Sequence, residues 1–385
     1  FVLYLHHSLS ILFRFYLSLS LSLLLLISED AVVNGAKGFL EIKSIGIERT
    51  VTNHSNNEKN QPLKSEVNSS DICDRSVKTG KDVPEQETED PVDDEKVDLD
   101  LTEPSDEVME YARRELGETE EVKCVTIQEL RDMIYERGEC TPHRMDDLFL
   151  IRFLRARKFN VNRTHRLLVN YYNFKEDHPE IHKNINPLKM RHIGEDDIMT
   201  VPANRTQCGR RMMIYRLGNW DPRKYSMDEI FKATIIVLEL GILEPRAQIL
   251  GGIVIFDLEG LTMAHVWTVT PQVAGMVISL MVSAFPIQTR AIHILHQSWI
   301  FDAIFAVFKP LLDARMRDKI FFHGDDMESL HNHIAKTSLP KKYGGTRNEL
   351  PYYKWIDSLS KNSGIVEEMT QLGYLASDEI LKNNT

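Results

Sequence analysis

The sequence lacks the short motifs on which most enzymes of this length depend. It contains no GxxxxGKS/T phosphate loop, no GxSxG nucleophile turn and no GxGxxG dinucleotide-binding turn. Cysteine is also scarce. Cys73, Cys124, Cys140 and Cys208 form no CxxC pair, which argues against a zinc ribbon and against a disulfide framework. These absences predict a protein that is not an enzyme, needs no cofactor and keeps its thiols reduced.

The chain as a whole carries no excess of basic charge. Its net negative charge comes from one acidic segment. The formal net charge of the 385 residues is −11, whereas residues 81–120 alone carry 17 acidic and 4 basic side chains. The rest of the chain, with 42 basic and 40 acidic residues, is close to neutral. We therefore expect no nucleic-acid partner, but a negatively charged membrane surface is not excluded.

The amino-terminal part divides into two segments of different composition. Residues 1–30 are apolar and include the run LSLSLSLLLLI, which is typical of a signal-peptide core or a short anchor. However, the positive charge before the run is weak and no clean cleavage site follows it. We therefore favour the interpretation that this segment was translated from sequence upstream of the true start. Residues 31–106 are polar and then acidic, so we expect disorder, either as an interaction tail or, the interpretation that we favour, as a solvated linker.

Apolar residues at helical spacing begin near residue 107. Met109, Ala112 and Leu116 start the pattern, and apolar residues at positions 127, 130, 133 and 134 continue it. Residues 148–154 and 161–174 predict further helices, the second with Asn160 or Asn162 as its cap. The sequence therefore predicts a small all-α bundle over residues 107–185.

Beyond residue 210, short apolar runs alternate with helical patterns. Strands are predicted at residues 212–217, 253–256, 290–296 and 320–324, and helices are predicted to begin at Ser226 and Thr270. The continuous apolar run at 253–256 is typical of a strand that is buried on both faces in a parallel sheet. The pattern predicts an α/β fold, a mostly parallel sheet with covering helices.

Several ordered motifs in this region are those of a known family. FDLEG, FP followed by RAIHILH, a KPLL-containing amphipathic stretch and LPKKYGGT resemble the CRAL-TRIO (Sec14-like) lipid-binding family. FLIRFLRARKFNVNRTHRLLVNYYNF is similar to the helical domain that precedes it, and the nearest subgroup is the tocopherol transfer, retinaldehyde-binding and clavesin-like proteins. The resemblance implies a lipid-binding domain over residues 190–350, whose covering helices form a lipid cavity, and a carboxyl-terminal tail over residues 351–385.

The resemblance also implies which side chains face the ligand. They are mostly aliphatic or aromatic, which suits an apolar pocket with a few hydroxyl contacts, and the alternative is a filled core. Leu238 departs from the small hydroxyl residues of tocopherol-type members, which argues against tocopherol itself. The implied ligand-binding residues are Tyr215, Phe231, Thr234, Ile235, Leu238, Phe256, Leu258, Val277, Leu280, Met281, Phe285, Thr289 and Ile292.

The stretch 299–319 is more apolar than an ordinary surface helix. Pro310 predicts a kink or break within it. The family resemblance implies a movable gate that closes the pocket and enters a bilayer when open, and the alternative is a helix that simply covers the core. The gate residues are Phe301, Ile304, Phe305, Phe308, Leu311 and Leu312.

A basic patch is expected beside the gate. Similar proteins bind phosphoinositide headgroups there, and arginine suits phosphate because its planar fork donates two hydrogen bonds at once. Gln288 stands where related proteins carry a lysine, and the alternative is an ordinary solvated charged face. The implied phosphoinositide-binding residues are Arg157, Arg290, Arg315, Arg317 and Lys319.

Other chemistry-bearing residues are interpreted as structural. Asp257 and Glu259 follow a buried strand without a nearby nucleophile, so we expect them to be structural partners rather than an acid/base pair. The pairs His293 with His296 and His331 with His333 lack a third ligand at metal-site spacing, so no metal site is expected. Arg152 and Arg155 are open to two interpretations, as partners of acidic neighbours or as anion contacts.

The sequence therefore predicts the binding and intermembrane transfer of a small hydrophobic molecule, which is tocopherol-, retinoid- or phospholipid-like, with release at phosphoinositide-containing membranes. A monomeric cytoplasmic protein is expected, peripherally associated with endosomal or other phosphoinositide-bearing membranes. The alternative is a membrane-recruited regulatory adaptor that transfers nothing and whose core is permanently filled.

Overall fold

A computed structural model describes residues 97–375, apart from residues 269, 299–300, 302–304, 306–311 and 313. The predicted apolar segment and most of the predicted disordered region lie outside these residues. Ahead of the sheet the described part contains α1 (Asp106–Tyr111, continued by a π-helical turn, Ala112–Leu116), α2 (Glu120–Arg137), α3 (Asp147–Ala156) and α4 (Val161–Asp177). The predicted small all-α bundle is confirmed.

Side-chain caps explain where α2, α3 and α4 begin. Thr119 Oγ1 accepts a hydrogen bond from Val122 N at 3.2 Å, and Asp146 Oδ1 accepts one from Phe149 N at 3.1 Å. At the start of α4, Asn160 Oδ1 accepts from Arg163 N at 3.0 Å, so Asn160 rather than Asn162 is the cap. Each cap satisfies a backbone donor that the first turn of a helix leaves unpaired.

The second half of the described chain is an α/β layer. Its strands are β1 (Met199–Thr200), β2 (Arg211–Arg216), β3 (Gly252–Asp257), β4 (Thr289–Leu295) and β5 (Ile320–Gly324). Its helices are α5 (Arg191–Glu195), α6 (Met227–Gly241), α7 (Pro245–Leu250), α8 (Met263–Thr268), α9 (Pro271–Ile278, continued by a π-helical turn, Ser279–Ala284), α10 (Ala314–Arg317), α11 (Met327–His331), α12 (Tyr352–Leu359) and α13 (Ser363–Gln371).

The sheet is mostly parallel, as predicted. Its strand order is β1-β2-β3-β4-β5, with β1 antiparallel to β2 and every other pair parallel. Tyr215, Phe256 and Ile294 lie opposite one another across the three central strands. The sequence did not predict β1, because two residues are too few to show a strand pattern.

The two faces of the central strand β3 differ in burial. Ile253, Ile255 and Asp257 are 5%, 0% and 1% exposed, and the two isoleucines pack in one core cluster with residues that include Leu330 and Tyr343. Val254 and Phe256, which alternate with them, remain only half-buried. The face that carries these two residues is called the cavity face below.

The predicted carboxyl-terminal tail contains two helices that pack against the domain. Tyr352, Trp355, Ile356 and Leu359 form a buried stripe on α12 at helical spacing. Trp355 Nε1 donates a hydrogen bond to the carbonyl of Val201 at 2.7 Å, which ties α12 to the chain just beyond β1. The tail therefore contributes side chains to the interior of the domain.

One expectation about the cysteines is wrong. Cys208 is disulfide-bonded, whereas Cys124 and Cys140 are free thiols, so not all thiols are reduced. Spacing along a chain does not reveal which sulfur atoms meet after folding, and this is why the sequence alone suggested four free thiols.

Within the described ranges, the helices are too short or too polar to cross a bilayer.

A tight approach at Gly345 generates the first prediction. A Cβ atom there would lie 2.0 Å from the carbonyl oxygen of Leu339, so Gly345→Ala must displace backbone. We expect the free energy of unfolding to fall by about 2–3 kcal/mol, as for other overpacked sites, when measured by urea denaturation. Gly241→Ala is the control, because a Cβ there meets no atom within 4 Å and alanine favours helix. Equal stability of the two variants would contradict the prediction.

Candidate functional site

A cavity of about 100 Å³ lies at the amino-terminal end of the central strands. Met213 and Val254 of the sheet and Leu238 of α6 contribute to its lining, together with Trp355 and Ile356 of α12. The walls are almost entirely apolar, and Thr289 is one of the few polar side chains among them. Of the implied ligand-binding residues, Leu238 and Thr289 line this cavity. The contribution of α12 was not predicted from the sequence, although its apolar residues at i, i+3, i+4 and i+7 indicate a helix with one buried face.

Most other implied ligand-binding residues lie farther along the same face or on the helices that cover it. Leu258 and Ile292 belong to a core cluster against which Phe256 and Met281 pack. Val277 is half-buried on α9. Phe231, Ile235 and Leu280 are buried. Phe285 instead packs edge-on against Tyr171 of α4, with ring centroids 5.5 Å apart.

Two of the expected hydroxyl contacts bind each other. Tyr215 Oη lies 2.7 Å from Thr234 Oγ1, which donates to the carbonyl of Ile230 at 2.8 Å. Because the single proton of Thr234 is used in that bond, Tyr215 donates to Thr234. Both side chains are buried, and burial raises the pKa of Tyr215. The pair therefore supports the packing of β2 against α6, and the phenolic oxygen keeps only acceptor capacity.

The described gate residues lie over the outer edge of the cavity face. Phe301 and Phe305 stack with ring centroids 5.8 Å apart, and Phe305 meets the ring of Phe322 on β5 edge-on at 4.8 Å. Phe301 and Leu312 pack against the cluster that contains Ile292. The remaining gate residues, Ile304, Phe308 and Leu311, lie outside the described residues, as does Pro310.

Four of the five basic residues of the expected patch, Arg157, Arg290, Arg317 and Lys319, donate hydrogen bonds to backbone carbonyls. Lys319 Nζ donates to Thr289 O at 2.8 Å, and Arg290 Nε donates to Leu250 O at 3.0 Å. Arg317 Nη1 donates to Leu312 O at 2.5 Å, while Arg315 is exposed.

Arg157 is held in the same way but is more enclosed. Its Nη2 donates to Val282 O at 3.1 Å, and burial, with a smaller effect from Arg163, lowers its pKa. Gln288 donates to Arg155 O at 3.1 Å, so it joins the helical region to the strand that carries Arg290. These bonds position Arg157 and Arg290 at one end of the sheet.

Arg152 and Arg155 make structural ion pairs, but not with their sequence neighbours. Arg155 Nη2 lies 2.7 Å from Glu118 Oε1 within the interior, and its Nη1 donates to Gln248 Oε1 of α7 at 2.7 Å. Arg152 Nη1 lies 2.9 Å from Glu368 Oε1 of α13. Both guanidinium groups therefore have carboxylate partners from distant parts of the chain.

Asp257 is the centre of a polar cluster at the carboxyl end of β3. Its carboxylate lies 2.7 Å from His296 Nδ1 and accepts a hydrogen bond from Tyr343 Oη at 3.0 Å. Burial alone would raise the pKa of Asp257, but the bonds from His296 and other donors and the charge of Lys342 hold it below its usual value. Asp257 thus supports the fold.

Asp257, Glu259 and His296 lie close enough together to suggest a cation site. Lys342 Nζ, however, lies 3.3 Å from the carboxylate of Asp257 and 3.5 Å from that of Glu259. This ammonium group already supplies positive charge to both carboxylates, so the cluster offers little to a metal ion.

The histidines combine differently from the sequence pairs. His293 Nδ1 lies 2.9 Å from His323 Nε2, and the ring of His333 lies 5.3 Å and 5.6 Å from theirs. Burial, with smaller effects from neighbouring histidines, lowers the pKa of His293 to about 3 and that of His323 to about 4. His331 instead binds the carbonyl of Tyr343 at 2.8 Å. The two inner imidazoles are therefore neutral components of the core.

The buried imidazoles predict a pH-dependent stability. Because the pKa of His293 in the folded state lies below its unfolded value, the unfolded state takes up more protons as the pH falls below about 6.5. Stability is fully present above that pH and is lost towards the folded pKa. We expect His293→Asn to flatten the decline in the free energy of unfolding between about pH 6 and about pH 4, by up to about 1.4 kcal/mol per pH unit.

Chemical denaturation at a series of pH values would measure this slope. Phe321→Leu is the control, because it alters the ring that stacks on His293 without removing a titratable group. The prediction is wrong if His293→Asn and Phe321→Leu both keep the parent's dependence of the free energy of unfolding on pH.

Comparison with known proteins agrees with this architecture. The profile of the CRAL/TRIO domain matches residues 195–345, and that of the Pinta-like, UBA domain matches residues 119–192. The alpha-tocopherol transfer protein-like protein of Mus musculus is 34% identical over 268 residues, which are 69% of this chain and 78% of that protein. Clavesin-1 of Pongo abelii is 34% identical over 66% of this chain and 73% of its own length. Clavesin-2 of Homo sapiens is 32% identical over 66% of this chain and 79% of its own length.

Among solved structures, that of Sfh5 aligns with 65% of this chain and 99% of its own at 14% identity and a TM-score of 0.37, values too low to add to the assignment. The matched domains follow the order seen in the structure, a helical region and then the mostly parallel sheet. With these domains and with this identity to relatives that it covers over most of their length, the chain belongs to the CRAL/TRIO family.

Proposed function

We propose that this protein binds one small hydrophobic molecule against the cavity face of its sheet and transfers it between membranes without covalent chemistry. The CRAL/TRIO family binds and transfers small lipophilic ligands. One observation in this chain carries the proposal: apolar side chains in the middle of a covered sheet keep part of their surface accessible.

The central strand gives the clearest case. β3 has a parallel neighbour on each side and helices above it, so Val254 and Phe256 would be fully buried in an ordinary filled core. Both remain half-buried, as do Val277 and Met281 on the covering helix and its π-helical continuation. Exposed apolar surface is unfavourable by about 25 cal/mol for each Å², and a lipophilic ligand would remove that surface from water.

The chemistry of the walls supports a ligand with few polar atoms. Tyr215 and Thr234 bind each other, and Leu238 adds another aliphatic side chain to the cavity. Relatives are named as an alpha-tocopherol transfer protein-like protein and as clavesins. The ligand class that we propose is therefore a tocopherol-, retinoid- or phospholipid-like molecule, with the pocket selecting for shape rather than for hydrogen bonds.

Release would take place at a membrane that carries phosphoinositides. Arg290 and Lys319 lie at the amino-terminal ends of neighbouring strands, and Arg315 and Arg317 occupy the short helix that precedes Lys319. Exposed Arg315 can meet a headgroup directly, and a guanidinium fork suits phosphate. Attachment by this patch would hold the gate residues Phe301 and Phe305 near the bilayer while the pocket opens. We propose a peripheral, monomeric protein on this basis.

Filling the proposed pocket should prevent ligand loading. Phe256→Trp and Leu280→Trp add volume on the cavity face and on the turn that continues the helix above it, and overpacking of about 1–3 kcal/mol in the bound state would weaken lipid affinity by roughly 5- to 150-fold. Native mass spectrometry of protein equilibrated with vesicles of a tissue lipid extract would measure occupancy. Leu148→Trp is the control, because Leu148 is 72% exposed on α3.

Two results would overturn the proposal. Folded tryptophan variants that load lipid as well as the parent would show that these positions do not line a pocket. A parent protein that never carries a lipid mass would favour the alternative of a regulatory adaptor with a permanently filled core.

The patch generates a separate prediction. Each basic side chain near an anionic membrane contributes on the order of 1 kcal/mol, so Arg315→Ala with Arg317→Ala should weaken attachment to phosphoinositide vesicles by about thirtyfold. Ligand binding in solution should change little. Co-sedimentation with and without phosphoinositide would measure the effect. Arg113→Ala with Arg223→Ala removes the same charge from exposed sites elsewhere. Equal sedimentation of the two double variants would exclude a dedicated headgroup patch.

A further inference from the structure

A short acidic segment ahead of α1 lies against the amino-terminal end of the sheet. Residues 97–102 read VDLDLT, outside both matched domains and outside the implied ligand-binding residues. The sequence predicted disorder here as part of residues 31–106. In the structure, Val97 is buried and Leu99 contributes to the lining of the cavity.

Polar contacts hold this 97–102 segment in place. Asp100 N donates to Glu244 Oε1 at 2.9 Å, and Arg211 Nη2 donates to the carbonyl of Asp98 at 3.3 Å. Arg205 Nη2 lies 3.7 Å from the carboxylate of Asp100 and 2.9 Å from that of Glu244. Glu244 is fully buried, so the acidic segment reaches an interior carboxylate that two arginines already neutralise.

The alternation of the segment decides which side chains point inward. Val97 and Leu99 pack against the domain, whereas Asp98 between them is exposed. This alternation is that of an extended chain, whose successive side chains point to opposite sides. It ends at Leu99, beyond which Leu101 is 46% exposed. Leu99 is therefore the side chain that the segment presents to the cavity, which Trp355 and Ile356 of α12 also line.

The size of the cavity limits what it can hold. Its volume of about 100 Å³ is below the ~150 Å³ that admits a benzene-sized molecule, so it can take only the end of an apolar chain. The cavity face continues from it, because Val254 lines the cavity and Phe256 follows on the same side of β3 about 7 Å farther along. A ligand seated along this face would place the end of its tail beside Leu99.

We propose that the 97–102 segment is the end wall of the ligand-binding site and that Leu99 limits the length of the apolar tail that the site accepts. This inference rests on the proposed function, since it concerns the same site, and it names the ligand class more closely as a lipid with an extended apolar tail. The carboxylate of Glu244 and the guanidinium groups of Arg205 and Arg211 position the wall.

Substitution at Leu99 should change the length of the bound tail. Leu99→Trp shortens the site and Leu99→Ala lengthens it, and each methylene gained or excluded changes affinity by about fourfold. Leu101→Trp is the matched control on the same segment. Asp100→Pro removes the N–H that binds Glu244 without altering the lining, and it should broaden the distribution towards longer tails.

The test uses the full chain equilibrated with phosphatidylcholine vesicles that contain equal amounts of straight-chain alcohols from dodecanol to eicosanol, together with retinol and tocopherol. Native mass spectrometry reads the masses that remain bound. We expect shorter or fewer bound species for Leu99→Trp, longer ones for Leu99→Ala and an unchanged distribution for Leu101→Trp.

Each outcome separates the two proposals. If the parent carries apolar molecules from these vesicles and both Leu99 variants carry the same distribution, the end wall is wrong and lipid binding stands. If neither parent nor variants carry any apolar molecule, including phosphatidylcholine, the proposed function fails and the end wall fails with it.

Discussion

The structure depends on a difference in burial between the two faces of β3. Ile253 and Ile255 pack into a core closed by Leu330 and Tyr343, whereas Val254 and Phe256 face a region that the covering helices do not fill. A central parallel strand has no free edge, so within the sheet it meets a ligand through its side chains. The filled face supplies the hydrophobic stabilisation of the domain, and this allows the other face to remain accessible.

The filled face is locked by the polar cluster around Asp257. Tyr343 Oη donates to Asp257 and accepts from Arg216 Nε at 2.9 Å, so the LPKKYGGT segment closes over the carboxyl ends of β2 and β3. A buried carboxylate is stable only when its charge and its acceptor sites have partners. Asp257, which the sequence offered together with Glu259 as a possible acid/base pair, therefore has a structural role in closing this core. Gly345 allows the backbone of the same segment to approach Leu339.

Buried ion pairs join the helical region to the sheet domain. Arg155 pairs with Glu118 and also binds Gln248 of α7, and Glu239 of α6 accepts from Tyr171 at 2.8 Å and lies 2.6 Å from Lys175 Nζ. Such pairs gain little net stability over apolar packing, but removing one partner leaves an uncompensated charge in the interior. They therefore favour one relative placement of α3, α4 and α6.

Local pattern was enough to predict the strands of the sheet longer than two residues, a cap at Asn160 or Asn162, the α/β class and, through ordered motifs, the family, because period and capping are properties of neighbouring residues. Tertiary structure alone decided which distant groups meet. It paired His293 with His323 rather than His296, gave Arg155 a partner at Glu118, and brought Leu99 and Trp355 to one cavity. These contacts depend on how helices and strands stack after the chain has folded, and residue spacing carries no record of that stacking.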